Sequence, residues 1–135
     1  MRPIPAIVAA ALALVATATA ARALEPPIRF VCVPETLTRC SAPGACESRP
    51  PTESEKAELL VLDFTNRRVA VRAGGKDEAY ATIVDLREEG GKRLFGIKPN
   101  QGSEITRAAL AADGRMEGSI GDGSRRFVAR CASTT

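Results

Sequence analysis

Residues 59 to 72, LLVLDFTNRRVAVR, show the fold of this chain most clearly. Two runs rich in leucine and valine, Leu59 to Phe64 and Val69 to Arg72, flank the polar break Thr65 to Arg68. The break has the length of a hairpin loop, and Asn66 can adopt the left-handed conformation that tight turns require. The stretch therefore predicts two antiparallel strands joined by a short turn.

The same alternation of apolar segments and turns continues to the end of the chain. Turn sequences rich in glycine and charged residues occur at 74–77, 88–92, 113–114 and 121–124. Apolar segments lie between them, at 80–86, 94–97, 105–112, 116–120 and 127–131. The alanine-rich segment 105–112 is compatible with a helix, but the following Asp113-Gly114 is a hairpin signal and favours a strand. With a first strand at 28–33, we predict an all-β fold of about eight short strands, a single small antiparallel barrel or sandwich-like meander.

The first 23 residues predict a bacterial signal peptide. Arg2 precedes an apolar run of about a dozen residues, which is too short to cross a membrane as a helix. Small residues satisfy the cleavage rule after Ala20 and after Ala23, and both sites remain open. Residues 24–135 then form a single β domain, which we expect to be a periplasmic or extracellular monomer with no membrane span.

Four cysteines follow the signal peptide, and an even number in an oxidising compartment predicts two disulfide bonds. They allow three pairings. We favour Cys40 with Cys46, which closes a short loop, and Cys32 with Cys131, which joins the first strand to the last. A zinc site is disfavoured because the cysteines are not grouped in pairs about two to four residues apart. We therefore expect no metal.

Residues 34–55 contain several prolines and no periodic apolar pattern. This composition predicts an irregular excursion, held by its own disulfide. A short disulfide ring fixes the backbone and lowers the ordering cost of binding a partner, although a purely local staple is the simpler interpretation. The candidate interaction loop consists of Ser41, Ala42, Pro43, Gly44 and Ala45.

The chain contains no histidine, which removes Ser-His-Asp and Cys-His arrangements, histidine metal sites and imidazole catalysis. Most acidic residues lie in predicted turns. Asp63 and Asp85 lie within strands, but on the side opposite to most bulky neighbours, so we expect them to face solvent. We assign no catalytic residue and no cofactor, and we expect a protein that is not an enzyme. An enzyme that uses carboxylates is the remaining alternative.

Charge gives no support to a nucleic-acid partner. Without Arg2 and Arg22 the formal charge falls from +3 to +1. The basic pairs Arg67-Arg68, Lys92-Arg93 and Arg125-Arg126 lack interleaved aromatic residues, so we expect solvated hairpin ends.

The largest apolar groups are four phenylalanines, since the chain has no tryptophan and one tyrosine. We expect all four to anchor the core: Phe30, Phe64, Phe95 and Phe127.

On Phe30-Val31-Cys32 and Cys131, the chain resembles in outline the small bacterial envelope inhibitors of C-type lysozyme. The resemblance implies an exported, eight-stranded β protein. The Ser-Gly-x-x-Tyr segment that carries inhibition in that family has no counterpart, because Tyr80 follows Asp77-Glu78-Ala79. We therefore transfer no functional residue.

These features favour a non-enzymatic binding protein of the periplasm or cell exterior. We expect its partner to be an envelope protein or a cell-wall component. The protein would then be an interaction or inhibitor module of the envelope. A small-ligand carrier is the alternative, because an eight-stranded barrel can hold one small molecule. The abundance of alanine and valine in the strands favours a filled core over a lined pocket.

Overall fold

The computed structural model describes residues 28–134 and shows an all-β architecture. The first two strands are followed by one short helix, and seven more strands complete the chain. Before the helix lie β1 (Arg29–Ala42) and β2 (Ala45–Arg49), and the helix is α1 (Glu53–Lys56). After it lie β3 (Leu59–Asp63), β4 (Arg68–Ala73), β5 (Lys76–Glu89), β6 (Lys92–Pro99), β7 (Thr106–Leu110), β8 (Arg115–Ile120) and β9 (Arg125–Ser133). The predicted signal peptide lies outside the described residues.

Eight of the strands form a closed antiparallel barrel. Strands β3 to β9 pair in sequence order as a meander. The first residues of β1 pair with β3, while β1 also pairs along most of its length with β9, and this closes the ring. Closure leaves the barrel without a free edge. Strand β2 pairs only with β1 and stands outside the barrel. The predicted fold class is confirmed.

The prediction of an irregular excursion at residues 34–55 is wrong. Strand β1 continues through Pro34 to Ala42, and β2 returns beside it in antiparallel pairing. The ladder between β1 and β9 accommodates Pro34 at a β-bulge, where the register shifts before Thr36. Strand β2 is exposed along its whole length. A ribbon with so little buried surface carries no apolar alternation, which is why its sequence resembles a loop.

Both disulfide bonds have the favoured pairing, Cys32 with Cys131 and Cys40 with Cys46. Each joins directly paired residues of neighbouring strands, the first across β1 and β9 and the second across β1 and β2. The first bond therefore fastens the seam at which the barrel closes, and the second fastens the hairpin that projects beyond it.

One end of the barrel is filled by an aromatic cluster. The rings of Phe30, Phe64 and Phe95 meet edge to face, with centroid separations of 5.9 and 5.1 Å. The guanidinium carbon of Arg93 lies 5.6 Å from the Phe30 centroid and 4.9 Å from that of Phe64. The expectation of a solvated hairpin end is wrong for Arg93, whose side chain is only 17% exposed. We call this end of the barrel the closed end.

The hairpin predicted at residues 59–72 is confirmed, with one change in its turn. Arg67, not Asn66, takes the left-handed conformation, at φ 53°. Asn66 instead donates hydrogen bonds from its backbone and side-chain amides to the Asp63 carboxylate, at 3.1 and 2.9 Å. The side-chain bond from Asn66 is the main reason that the pKa of Asp63 is lowered. Asp63 is thus a turn-forming residue.

Candidate functional site

A cavity of about 610 Å³ opens at the end of the barrel away from the aromatic cluster. This volume is typical of small-molecule sites, which occupy about 300 to 1,000 Å³. Apolar side chains from five strands line it: Leu37, Leu60, Ile97, Ile120, Phe127 and Ala129. The expectation of a filled core holds for one end of the barrel, while the other end opens into this cavity, which β2 and Glu55 of α1 also border. We call the hollow end the open end.

Two successive rows of the ladder between β1 and β9 build one side of the cavity. Phe127 pairs with Leu37, and one row further out Arg125 pairs with Arg39. Directly paired residues of antiparallel strands point to the same face of the sheet. All four of these residues line the cavity. The inner row is therefore an apolar wall, and the outer row is a pair of arginines at the rim.

Strand β2 extends this wall outward from β1. Arg49 pairs with Leu37 and Glu47 pairs with Arg39, so the two rows continue onto β2. We call residues 37–49 the hairpin wall. Between these two rows the hydroxyls of Thr38 and Ser48 hydrogen-bond at 2.7 Å, two residues along each strand from the disulfide Cys40–Cys46. These contacts hold β2 against β1, although β2 pairs with no other strand.

An ion pair connects the hairpin wall to α1. The Arg49 guanidinium donates to both carboxylate oxygens of Glu55, at 2.8 and 3.2 Å. Glu55 also accepts from the backbone of Thr52, whose hydroxyl accepts from the Glu55 backbone, and this capping box starts the helix. The Arg49 hydrogen bond, followed by the Thr52 backbone, lowers the pKa of Glu55 to about 2. Arg49 is exposed and Glu55 is partly exposed, so the pair fixes geometry more than it adds stability.

Only some of the charged side chains at the rim form ion pairs. Arg125 pairs with Glu104, which is 60% exposed. Among residues 28–134, Arg39 forms no ion pair, although it lies opposite Arg125. Glu47 and Glu58 also line the cavity, and neither of them pairs with a basic side chain of the described chain. The rim therefore carries charged groups that remain available to a ligand.

The positions of two aromatic side chains at the cavity depend on features of the neighbouring strands that the sequence around each residue does not reveal. The register between β4 and β5 shifts around Tyr80, which has no partner on β4 and lines the cavity while 44% exposed. Phe127 lies over Gly118, where an added Cβ would be 2.3 Å from the ring. Phe127 packs against the core from the cavity side, whereas the other three phenylalanines are buried. The core-anchor prediction thus holds fully for those three.

The predicted interaction loop lies elsewhere. Ser41, Ala42, Pro43, Gly44 and Ala45 form the tip of the hairpin wall, are all exposed, and do not line the cavity. Gly44 takes a positive φ of 83° there, which a tight turn between β1 and β2 requires.

The described residues offer little for other kinds of chemistry. Asp85 is exposed and adopts a left-handed φ of 52° where the register between β5 and β6 shifts. No group of three or more His, Cys, Asp or Glu residues within 28–134 is placed to hold a metal ion. In the same range, no helix is long and apolar enough to cross a membrane.

Comparison with protein-family models, with curated proteins and with solved structures finds no match for this chain. The open-end cavity combines apolar walls with charged side chains at its rim. It is therefore the candidate functional site.

Proposed function

We propose that this protein is an exported, non-enzymatic binding protein that takes a small, mainly apolar molecule into the open end of its barrel. The observation that supports this proposal is the cavity of about 610 Å³ with apolar walls, beside a filled closed end. An eight-stranded barrel has an interior that either its side chains fill or one small ligand occupies. Transfer of apolar ligand surface from water would drive binding, by about 25 cal/mol per Å² buried.

Small side chains keep the hollow free. Thr106 and Ala129 point into it, whereas Ile83 and Leu110 fill the core elsewhere in the barrel. Larger residues at the first two positions would extend the packed core into the open end, which would bury more apolar surface. Their small size is consistent with a space that a ligand fills.

Filling the cavity tests the proposal. We expect the uncharged fluorescent probe N-phenyl-1-naphthylamine to bind saturably to the purified protein, and Thr106→Phe to weaken this binding at least tenfold. Thr82→Phe is the matched control, because Thr82 is exposed on β5 and does not line the cavity. Equal probe affinity in both variants, or no saturable binding by the unmodified protein, would contradict the proposal.

Export belongs to the same proposal. Two disulfide bonds are typical of proteins that fold in an oxidising compartment. We expect the protein recovered from its host to begin at residue 21 or residue 24 and to contain no free thiol. Intact-mass measurement before and after alkylation checks both points, and an unprocessed, alkylated chain would overturn the assignment to the periplasm or cell exterior.

A second candidate function is the binding of an envelope protein or cell-wall component through the hairpin tip. The observation that favours it is a fully exposed segment, residues 41–45, enclosed by the disulfide Cys40–Cys46. Capture from an envelope extract should then fail for Ala42→Glu combined with Ala45→Glu, and should persist for Thr106→Phe. The opposite pattern would exclude the tip as the contact.

A further inference from the structure

We infer that the ligand of the open end is a single-chain amphipathic acid, whose apolar chain fills the cavity and whose carboxylate binds Arg39 and Arg125. This inference rests on the proposed function and adds the chemical class of its ligand. It depends on three features of the rim: the opposition of two arginines, their distance from the apolar row, and the position of the acidic residues.

Arg39 lies directly opposite Arg125 in the ladder between β1 and β9, as Arg115 lies opposite Arg130 between β8 and β9. Like charges directly opposite each other destabilise an antiparallel ladder. Here Arg39 forms no ion pair among the described residues, and Arg125 has only the exposed Glu104. An anion between the two guanidinium groups would relieve their repulsion and accept hydrogen bonds from both. Each guanidinium carries five donors in a plane, a geometry that suits a carboxylate.

The apolar row begins immediately behind the arginines. Leu37 and Phe127 lie two residues further along their strands, a separation of about 7 Å. A ligand that reaches both rows therefore needs a charged group joined directly to an apolar chain. A sugar or another extended polar group would place its hydroxyls against Leu37 and Phe127, and the Arg49 guanidinium beside Leu37 is already bound to Glu55.

The acidic residues at the rim limit the charge of the ligand. Glu47 lies beside Arg39 on the outer strand β2, and Glu58 lies just before β3. A second negative charge on the ligand would approach one of them and be repelled. Arg126 also lines the cavity, but its guanidinium donates to the Gly123 carbonyl oxygen and to Cys40 Sγ. The rim therefore fits a monoanion bound by Arg39 and Arg125.

Three decyl compounds separate the roles of the chain and the head group. We expect calorimetric titration at low ionic strength to show tighter binding of decanoate than of decanol or decyltrimethylammonium. The double variant Arg39→Gln/Arg125→Gln should weaken decanoate binding about tenfold or more and leave decanol binding unchanged. Unchanged decanol binding also shows that the variant has folded.

Arg68→Gln is the control for charge, because Arg68 is an exposed arginine at the start of β4, near the closed end. It should affect none of the three ligands. Equal affinity for the three compounds, or preference for the ammonium compound, would overturn the head-group assignment and leave the cavity as a binding site. Saturable binding of none of them would overturn the proposed function as well.

Discussion

At the scale of single residues, Gly118 determines where the Phe127 ring lies. The ring occupies the space that a side chain on Gly118 would need, with 2.3 Å between its Cζ and an added Cβ. Because Phe127 also lines the cavity, a change at a residue on β8 should alter the binding site on β9.

We predict that Gly118→Ala pushes the Phe127 ring towards the cavity. The affinity for decanoate or for the naphthylamine probe should fall several-fold, and the free energy of unfolding should fall by about 1 to 3 kcal/mol, as is usual for overpacking. Ligand titration and denaturant unfolding measure the two effects. Ser119→Ala, its neighbour on the same strand, should change neither quantity by much, and an unaltered affinity in Gly118→Ala would show that the ring does not control the site.

The inward-facing position of Arg93 agrees with the alternation of residues along β6. Arg93, Phe95 and Ile97 alternate along β6, so their side chains share a face, and Phe95 and Ile97 are buried. The sequence thus placed Arg93 on the inner face, but its charge and the adjacent turn favoured an exposed position. Stacking on Phe30 and Phe64 outweighs that preference, and no periodicity records such a contact.

At the scale of elements, the hairpin wall is the part that was hardest to predict. The meander after residue 59 was readable because its strands alternate between a buried and a solvated face and end at glycine-rich turns. Strand β2 has no buried residue, so its pairing with β1 leaves no apolar signal. The cavity was also hidden, because alternation shows which side chains point inward but not whether they fill the space between them.

The disulfide Cys40–Cys46 should stabilise the hairpin wall locally. It closes a separation of six residues, for which the chain-entropy relation gives about 2 kcal/mol. We predict that Cys40→Ser/Cys46→Ser speeds amide exchange in β2 and weakens ligand binding, while exchange in β6 and β7 stays as it was. Hydrogen-exchange mass spectrometry resolves these segments, and uniform acceleration over all strands would contradict a local role.

The ion pair between Arg49 and Glu55 should make the attachment of β2 to α1 sensitive to acid. A carboxylate with a lowered pKa stabilises the folded arrangement above its ordinary pKa, and this contribution disappears as pH falls through the folded value. For Glu55 the window runs from 4.5 down to about 2. We predict that the Glu55 carboxyl resonance titrates near the lower limit, and that Arg49→Gln moves its midpoint towards 4.5. An unchanged midpoint in Arg49→Gln would show that the ion pair does not lower the pKa of Glu55.

At the scale of the whole molecule, closure of the barrel depends on the pairing of β1 with β9. The disulfide Cys32–Cys131 links these two strands covalently. The bond spans a sequence separation of 99, for which the same relation gives about 5 kcal/mol. Small domains have only about 5 to 15 kcal/mol in total. Cys32→Ala/Cys131→Ala should therefore lose far more stability than the Cys40 and Cys46 variant.

Denaturant unfolding of both double variants measures that ranking directly. If loss of Cys40–Cys46 were the more damaging change, the barrel seam would not be the main constraint on the fold. The seam also explains why the first and last strands were predictable as neighbours, because the favoured cysteine pairing already joined them. Two cysteines can form a disulfide bond only where their backbones lie close together.

The most direct test of the binding account is the position of a bound chain inside the barrel. Nuclear Overhauser contacts between decanoate methylene protons and the protein's methyl groups report that position. Ile97 and Ile120 line the cavity, whereas Val84 and Val128 do not and are the internal controls. We predict contacts to the two isoleucines and none to the two valines. Contacts confined to the valines, or spread evenly over all four residues, would contradict a ligand site at the open end.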